Sequence, residues 1–270
     1  MLKTNKLMAV AVFFIAVLSF TALFADFIAP FPYEYQDTKA LLQAPSAPHY
    51  FGTDRLGRDI LSRIIYGARI SLTVAIISSA IAVLFGAVYG ACAGFIGGKT
   101  ESAMMRFVDI VYCIPDLLII ILISIMIGRG ITGITLSLSL VSWVTVARVM
   151  RGEVIRIKVQ DFVEAAKTIG AGKTRIIFLH IFPGALTSLI ITATFRIPQV
   201  ILAESSLSFL GLGVPPPFSS WGTLANEGWA SLRFYPHLIL FPAVVIFISI
   251  TAFNLIGEGL RDILDPYRKD

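Results

Sequence analysis

The chain has 270 residues, 56% hydrophobic and only 14% charged, and its mean hydropathy is +0.82. A soluble domain carries about 25% charged residues, so the composition excludes one and requires an integral membrane protein. The net charge of +5 comes mostly from loops and reports topology rather than nucleic-acid binding.

Lys3 and Lys6 precede an almost purely apolar run, Leu7 to Phe24. A signal peptide has a core of only about 7–15 residues. The longer run, without a small-x-small cleavage site, favours a retained first span. Residues 30–69 form the longest outer segment, kept irregular at first by Pro30, Pro32, Pro45 and Pro48. In the stretch Phe51 to Leu72, Thr53 or Asp54 can cap a short helix with Ile60, Leu61, Ile64 and Ile65 on one face. Such a helix would lie along the membrane surface. It is either an outer contact or gate, or an interfacial helix whose Asp54, Arg55, Arg58, Asp59 and Arg63 pair with one another. The residues alone favour the second.

The second span, about 70–94, is rich in small residues. Gly86, Gly90 and Gly94 recur every four positions, which lets a neighbouring helix approach closely. The third, about 105–127, offers Arg106 and Asp109 as a pair three apart. Pro115 is expected to kink it, either as a hinge in a translocation path or as a packed bend. The fourth, about 131–148, leads to the stretch Arg148 to Pro183, which holds seven of the 22 Lys+Arg. There Phe162, Val163, Ala166 and Ile169 have the spacing of one helix face. Gly170 breaks that helix and Gly172 keeps the turn loose. A second helical run from Lys173 is expected to stop at Pro183-Gly184. A membrane protein with such a hairpin presents it to a partner.

The fifth span, about 185–205, contains Arg196 and Glu204. Eight residues put them about 12 Å apart along the axis, too far to pair directly. Charges at that depth cost a few kcal/mol and face protein or water. At least one is expected on a pathway or subunit interface, with a structural ion pair as the equal alternative. Residues 206–235 hold three consecutive prolines and a set of aromatics including Trp221, Trp229 and Phe234. They suit either the membrane interface or an outer docking surface. The sixth span is about 237–257, and the tail ends in Arg268, Lys269 and Asp270.

Six spans put both termini on one side. With the central basic stretch in the cytoplasm, 14 Lys+Arg lie inside and seven outside, as the positive-inside rule requires. The expected division is a first helix and outer segment at 1–69, a five-helix domain at 70–258 with the hairpin at about 149–184, and a cytoplasmic tail at 259–270. Cys92 and Cys113 read as small packing residues. The run Gly170-Ala171-Gly172-Lys173-Thr174 mimics the end of a nucleotide-binding loop. However, Lys167 stands where that motif needs its first Gly, and the preceding run is helical rather than a strand. No metal site and no catalytic constellation emerges, and His49, His180 and His237 are the only histidines. The chain is therefore not expected to be an enzyme.

Glu164-Ala165-Ala166, then Gly170, then Pro183 resembles the EAA loop of permease subunits of bacterial ATP-binding-cassette importers. His180 and Phe182 replace the usual Ile and Leu, and His there resembles the peptide and nickel branch. GTDxxGRDxxSR from Gly52 and SFLGLGVPPPxxxWG from Ser208 are similar to the same branch. The resemblance runs from about Phe51 to Pro266. It implies an all-α membrane protein of six transmembrane helices, the type I importer permease fold, in the membrane of a bacterium or archaeon. It further implies a homologous second permease, two cytoplasmic ATPases that hold the ATP and Mg, and an extracytoplasmic solute-binding protein. Membrane lipid would surround the chain, which would bind no cofactor or metal of its own and no nucleic acid. Glu164, Ala165, Ala166, Gly170, His180 and Pro183 would meet the ATPase. Arg196, Glu204 and Pro115 are candidates for the pathway or the subunit interface. Asp54, Arg58, Asp59 and Trp221 are candidates for binding-protein contact. Di- and oligopeptides are the expected substrates, with nickel or a metal chelate as the alternative. A stand-alone secondary transporter is the rival of another class.

Overall fold

The computed structural model describes residues 2–264, so the basic tail expected at Arg268 and Lys269 lies outside the described residues. Every named element is helical. α1 (Leu2–Leu23) runs into one turn, α2 (Ala25–Ile28). A long irregular segment then leads to α3 (Ile60–Ile96). The separate surface helix expected over 51–69 does not form. Asp59, not Thr53 or Asp54, caps α3, accepting from the Ser62 N–H at 2.8 Å. Beyond that cap no proline interrupts 37 residues. At 1.5 Å per residue α3 is about 55 Å long, well over the roughly 30 Å of a bilayer core. The boundary expected at 69/70 thus falls inside a single helix.

α6 (Ile131–Ile157) packs along α3. The glycine stripe explains how. A methyl at Gly86 would sit 2.6 Å from both Trp143 O and Val146 Cβ, and one at Gly94 would sit 2.9 Å from Val154 Cβ. Only hydrogen fits, and the two backbones meet. α6 also runs farther than the expected fourth span, so Arg148, Arg151 and Arg156 are helical rather than loop residues.

The third span is broken rather than kinked. α4 (Gly98–Cys113) and α5 (Asp116–Ile127) meet at 90° across Ile114-Pro115. Pro115 has no N–H to continue the ladder, and it biases Ile114 toward the extended conformation seen there (ψ 132). Asp109 pairs with Arg148 of α6 at 2.7 Å, not with Arg106, because the bend turns α4 across the end of α6. Arg151 and Glu101 make a second link between the same helices at 2.5 Å.

After α7 (Asp161–Thr168) and α8 (Lys173–Ile176), the helix does not stop at Pro183. A π-helical turn, Ile177–Ile181, carries it into α9 (Phe182–Leu207). Pro183 is tolerated because its missing donor falls where the α-ladder is already interrupted. A second π-helical turn, Ser208–Leu212, ends that run. α10 (Trp221–Trp229) follows, with a capping box between Ser220 and Thr223, and then α11 (His237–Leu264). α9 packs on α3, α6 and α11, and α1 covers α11 and α3. Among the described residues five helices are long and apolar enough to cross a membrane, or six with α4 and α5 taken as one broken span.

Candidate functional sites

The hairpin sits at the end of the bundle where α3 stops and α6 ends. Val163, Ile176 and Ile181 are buried against Val154 and Ile157 of α6 and Ala185 and Leu189 of α9. Lys158 Nζ donates to the Gly94 carbonyl of α3 at 2.7 Å. Glu153 of α6 accepts from Ser188 of α9 at 2.8 Å. The hairpin is thus continuous with the membrane helices and cannot swing independently of them. Gly170 adopts φ +85°, which favours glycine, and reverses the chain while Ala171 N–H reaches Ala166 O at 3.0 Å.

The four residues expected on one face divide. Val163 and Ala166 point inward, whereas Phe162 (47% exposed) and Ile169 (85% exposed) point out. Ala166 is therefore part of the hairpin's own core, and only Ala165 of the pair offers a small surface. Glu164 and Pro183 are also exposed, and His180 is half-buried with its ring 6.1 Å from that of Phe162. Ile169 and Phe162 leave apolar surface on the outer side of the hairpin. The sequence reading missed it because the spacing assigned Ile169 to the packed side.

The second site is at the break in the third span. Asp116 begins α5, whose 12 residues cover only about 18 Å. Asp116, Ser142, Arg196, Gln199 and Ser206 line a cavity of about 300 Å3 between α5, α6 and α9. Arg196 Nη1 donates to Gln199 Oε1 at 2.7 Å, and its Nε is buried without a partner. Glu204 does not pair with it. Fully buried, Glu204 accepts from Ser208 at 2.7 Å and from Ser71 of α3 at 3.1 Å. It ties α9 to α3 and faces no open space.

At the far end, the four residues expected to contact an outside protein are buried: Asp54 5%, Arg58 8%, Asp59 2% and Trp221 0% exposed. They serve the architecture instead. Asp54 binds Arg58 at 2.6 Å and Arg63 at 2.7 Å, and both guanidinia reach Glu227 of α10, at 3.0 and 2.5 Å. Asp59 pairs with His49 at 3.0 Å, and Trp221 Nε1 donates to Ile64 O at 3.1 Å. Buried charges must pair; Asp54 and Asp59 find partners within ten residues, whereas Glu227 reaches Arg58 and Arg63 from 169 and 164 residues away. Nothing in the spacing singled out Glu227.

Two families match the chain. Binding-protein-dependent transport system inner membrane components match residues 82–270, and the N-terminal TM domain of oligopeptide transport permease C matches residues 1–45. The oligopeptide transport system permease protein OppC of Bacillus subtilis is 40% identical over 264 residues, covering 98% of this chain and 87% of the relative. The dipeptide transport system permease protein DppC of the same organism is 42% identical over 266 residues, covering 98% and 83%. The glutathione transport system permease protein GsiD of Escherichia coli O157:H7 is 40% identical over 257 residues, covering 95% and 85%. In fold, the chain is similar to a structure of the MetNI methionine ABC transporter in inward-facing conformations. The TM-score is 0.62 at 15% identity, over 74% of this chain and 95% of that one.

Proposed function

The chain belongs to the binding-protein-dependent transport system inner membrane components, as an ATP-binding-cassette importer permease of the peptide and glutathione type, and from that premise we propose that it forms half of a pathway for di- and oligopeptides. In this reading a solute-binding protein delivers the peptide at the far end, and a second, homologous permease completes the pathway. ATP is hydrolysed on two separate ATPases, not on this chain. The hairpin end faces the cytoplasm, as do both termini, and the exposed face of Glu164, Ala165 and Ile169 docks on an ATPase.

The carrying observation is the join between that exposed face and the buried Val163–Ile176–Ile181 cluster. A partner that moves the face must move α6 and α9 with it, because close-packed interiors shift as units. A stand-alone transporter would have no use for such a face.

The test is co-purification in detergent from the native operon, with wild type and Glu164→Arg. Wild type is expected to bring a second permease and ATPases, and the variant to keep the permease and lose the ATPases. Wild type that comes alone and transports without ATP sinks the importer reading. Uptake of a dipeptide, an oligopeptide, glutathione and a nickel chelate by the reconstituted complex then separates the substrates. Uptake of the chelate alone would overturn the peptide assignment.

A further inference from the structure

The cavity at the broken span holds an acid and a base that make no direct ion pair with each other. Arg196 lies near the middle of α9, and Asp116 lies at the inner end of the short α5, so both sit at about half the depth of the bundle. Both line the same space of about 300 Å3, yet no ion pair joins them among the described residues. Gln199 holds one outer nitrogen of the guanidinium, which fixes its plane. The Nε–H is left buried and unused. A buried polar donor without a partner is costly, and at membrane depth such a group marks a functional site. With Nη1 held by Gln199 and Nε covered, the guanidinium offers a carboxylate its second outer nitrogen, Nη2, in a charge-assisted hydrogen bond. Ser142 and Ser206 add hydroxyls to the wall, and Leu138 and Val141 make the rest apolar. The volume is at the small end of ligand pockets and suits a substrate as short as a dipeptide, whose two charged ends lie close together, rather than a long oligopeptide.

We propose that the cavity between α5, α6 and α9 is a way station on the translocation path that holds the C-terminal carboxylate of a peptide on Arg196, with Asp116 facing the substrate's ammonium. This rests on the reading of the chain as a peptide permease. It assigns selectivity for a free peptide terminus to the membrane subunit, separately from whatever the binding protein selects.

The test uses the full reconstituted complex in proteoliposomes, with the binding protein saturated throughout, its affinity for each peptide having been measured separately. The substrates are one peptide with a free C-terminus and the same peptide as its C-terminal amide. Wild type is expected to transport the free acid about tenfold faster, the scale of one hydrogen bond to a charged group. Arg196→Gln should bring that ratio to about one by slowing the free acid only. Arg196→Lys, which keeps the charge, should retain part of the preference, and Asp116→Asn should slow an N-acetylated peptide less than an unblocked one. Equal slowing of acid and amide by Arg196→Gln overturns the proposal, as does loss of the second permease from that variant but not from Arg196→Lys. Wild type that transports neither peptide overturns the peptide reading itself, an outcome distinct from transport without discrimination.

Discussion

The far-end network shows what a single carboxylate does when it is buried. Asp54 pairs with Arg58 and Arg63 at once, Glu227 supplying the second negative charge, and the Asp54 side chain is only 7% exposed. Asp54→Ala would leave two guanidinia sharing Glu227, which is 36% exposed. Breaking a buried pair from one side costs about 3–5 kcal/mol. The variant is expected to melt well below wild type in detergent, whereas Arg233→Ala, outside the network, should leave the midpoint in place. Equal midpoints for Asp54→Ala and wild type would show the network to be ornamental. The two adjacent alanines of the hairpin give the second contrast. Ala165 is exposed and Ala166 is 6% exposed. Ala165→Glu should abolish ATPase binding with little change in stability. Ala166→Glu buries an unpaired charge and should lower the yield of folded protein. The reverse pattern in a co-purification and melting series would show that the hairpin packs the other way.

Among the elements, the pair α3 and α6 carries the clearest geometric constraint. At Gly90, a methyl would stand 2.9 Å from Met150 Cβ and closer still to the Ala147 carbonyl, which is backbone and cannot rotate away. Gly90→Leu is expected to cost about 3 kcal/mol or more by forcing the helices apart. Thermal melting of the purified chain checks it, and wild-type stability in this variant would contradict the α3–α6 contact. The same scale explains the short α5. A proline in a helix interior costs about 3 kcal/mol. Placing Pro115 between two helices avoids that cost and leaves Asp116 at mid-depth, where an unbroken helix would carry the chain past it.

Among the described residues a smaller third apolar cluster surrounds Trp143, and the two largest lie toward opposite ends of long helices. One surrounds Trp221, Leu207 and Ile64 at the far end, and the other surrounds Ile181, Met150 and Ile157 beside the hairpin. α3, α6 and α9 contribute to both. These shared helices are a continuous physical route between the two ends. Ile181 is fully buried in the hairpin cluster. Ile181→Ala is expected to cost about 2–5 kcal/mol locally and to loosen the join between docking face and membrane. The expected signature is retained ATPase binding with weaker stimulation of ATP hydrolysis by the liganded binding protein. Full stimulation would argue that coupling bypasses this cluster.

Hydropathy and the positions of glycine and proline were enough to determine the all-helical membrane class, the glycine stripe that α6 packs against, the interruption at Pro115 and the hairpin reversal at Gly170. These follow from local chemistry: apolar length, absence of a Cβ, absence of an N–H. The tertiary structure alone decided which way each side chain faces and whom it meets. Glu227 met Arg58 and Arg63, Arg148 took Asp109 from Arg106, Glu204 found Ser71 and Ser208, and Ile169 turned outward. Pro183 read as a helix end because the rule for proline is local, yet packing of Ile181 and Ala185 against α6 carries the helix through it. Buried charges in an apolar bundle must find partners wherever the fold brings them, and spacing along the chain holds no record of contacts made over more than a hundred residues.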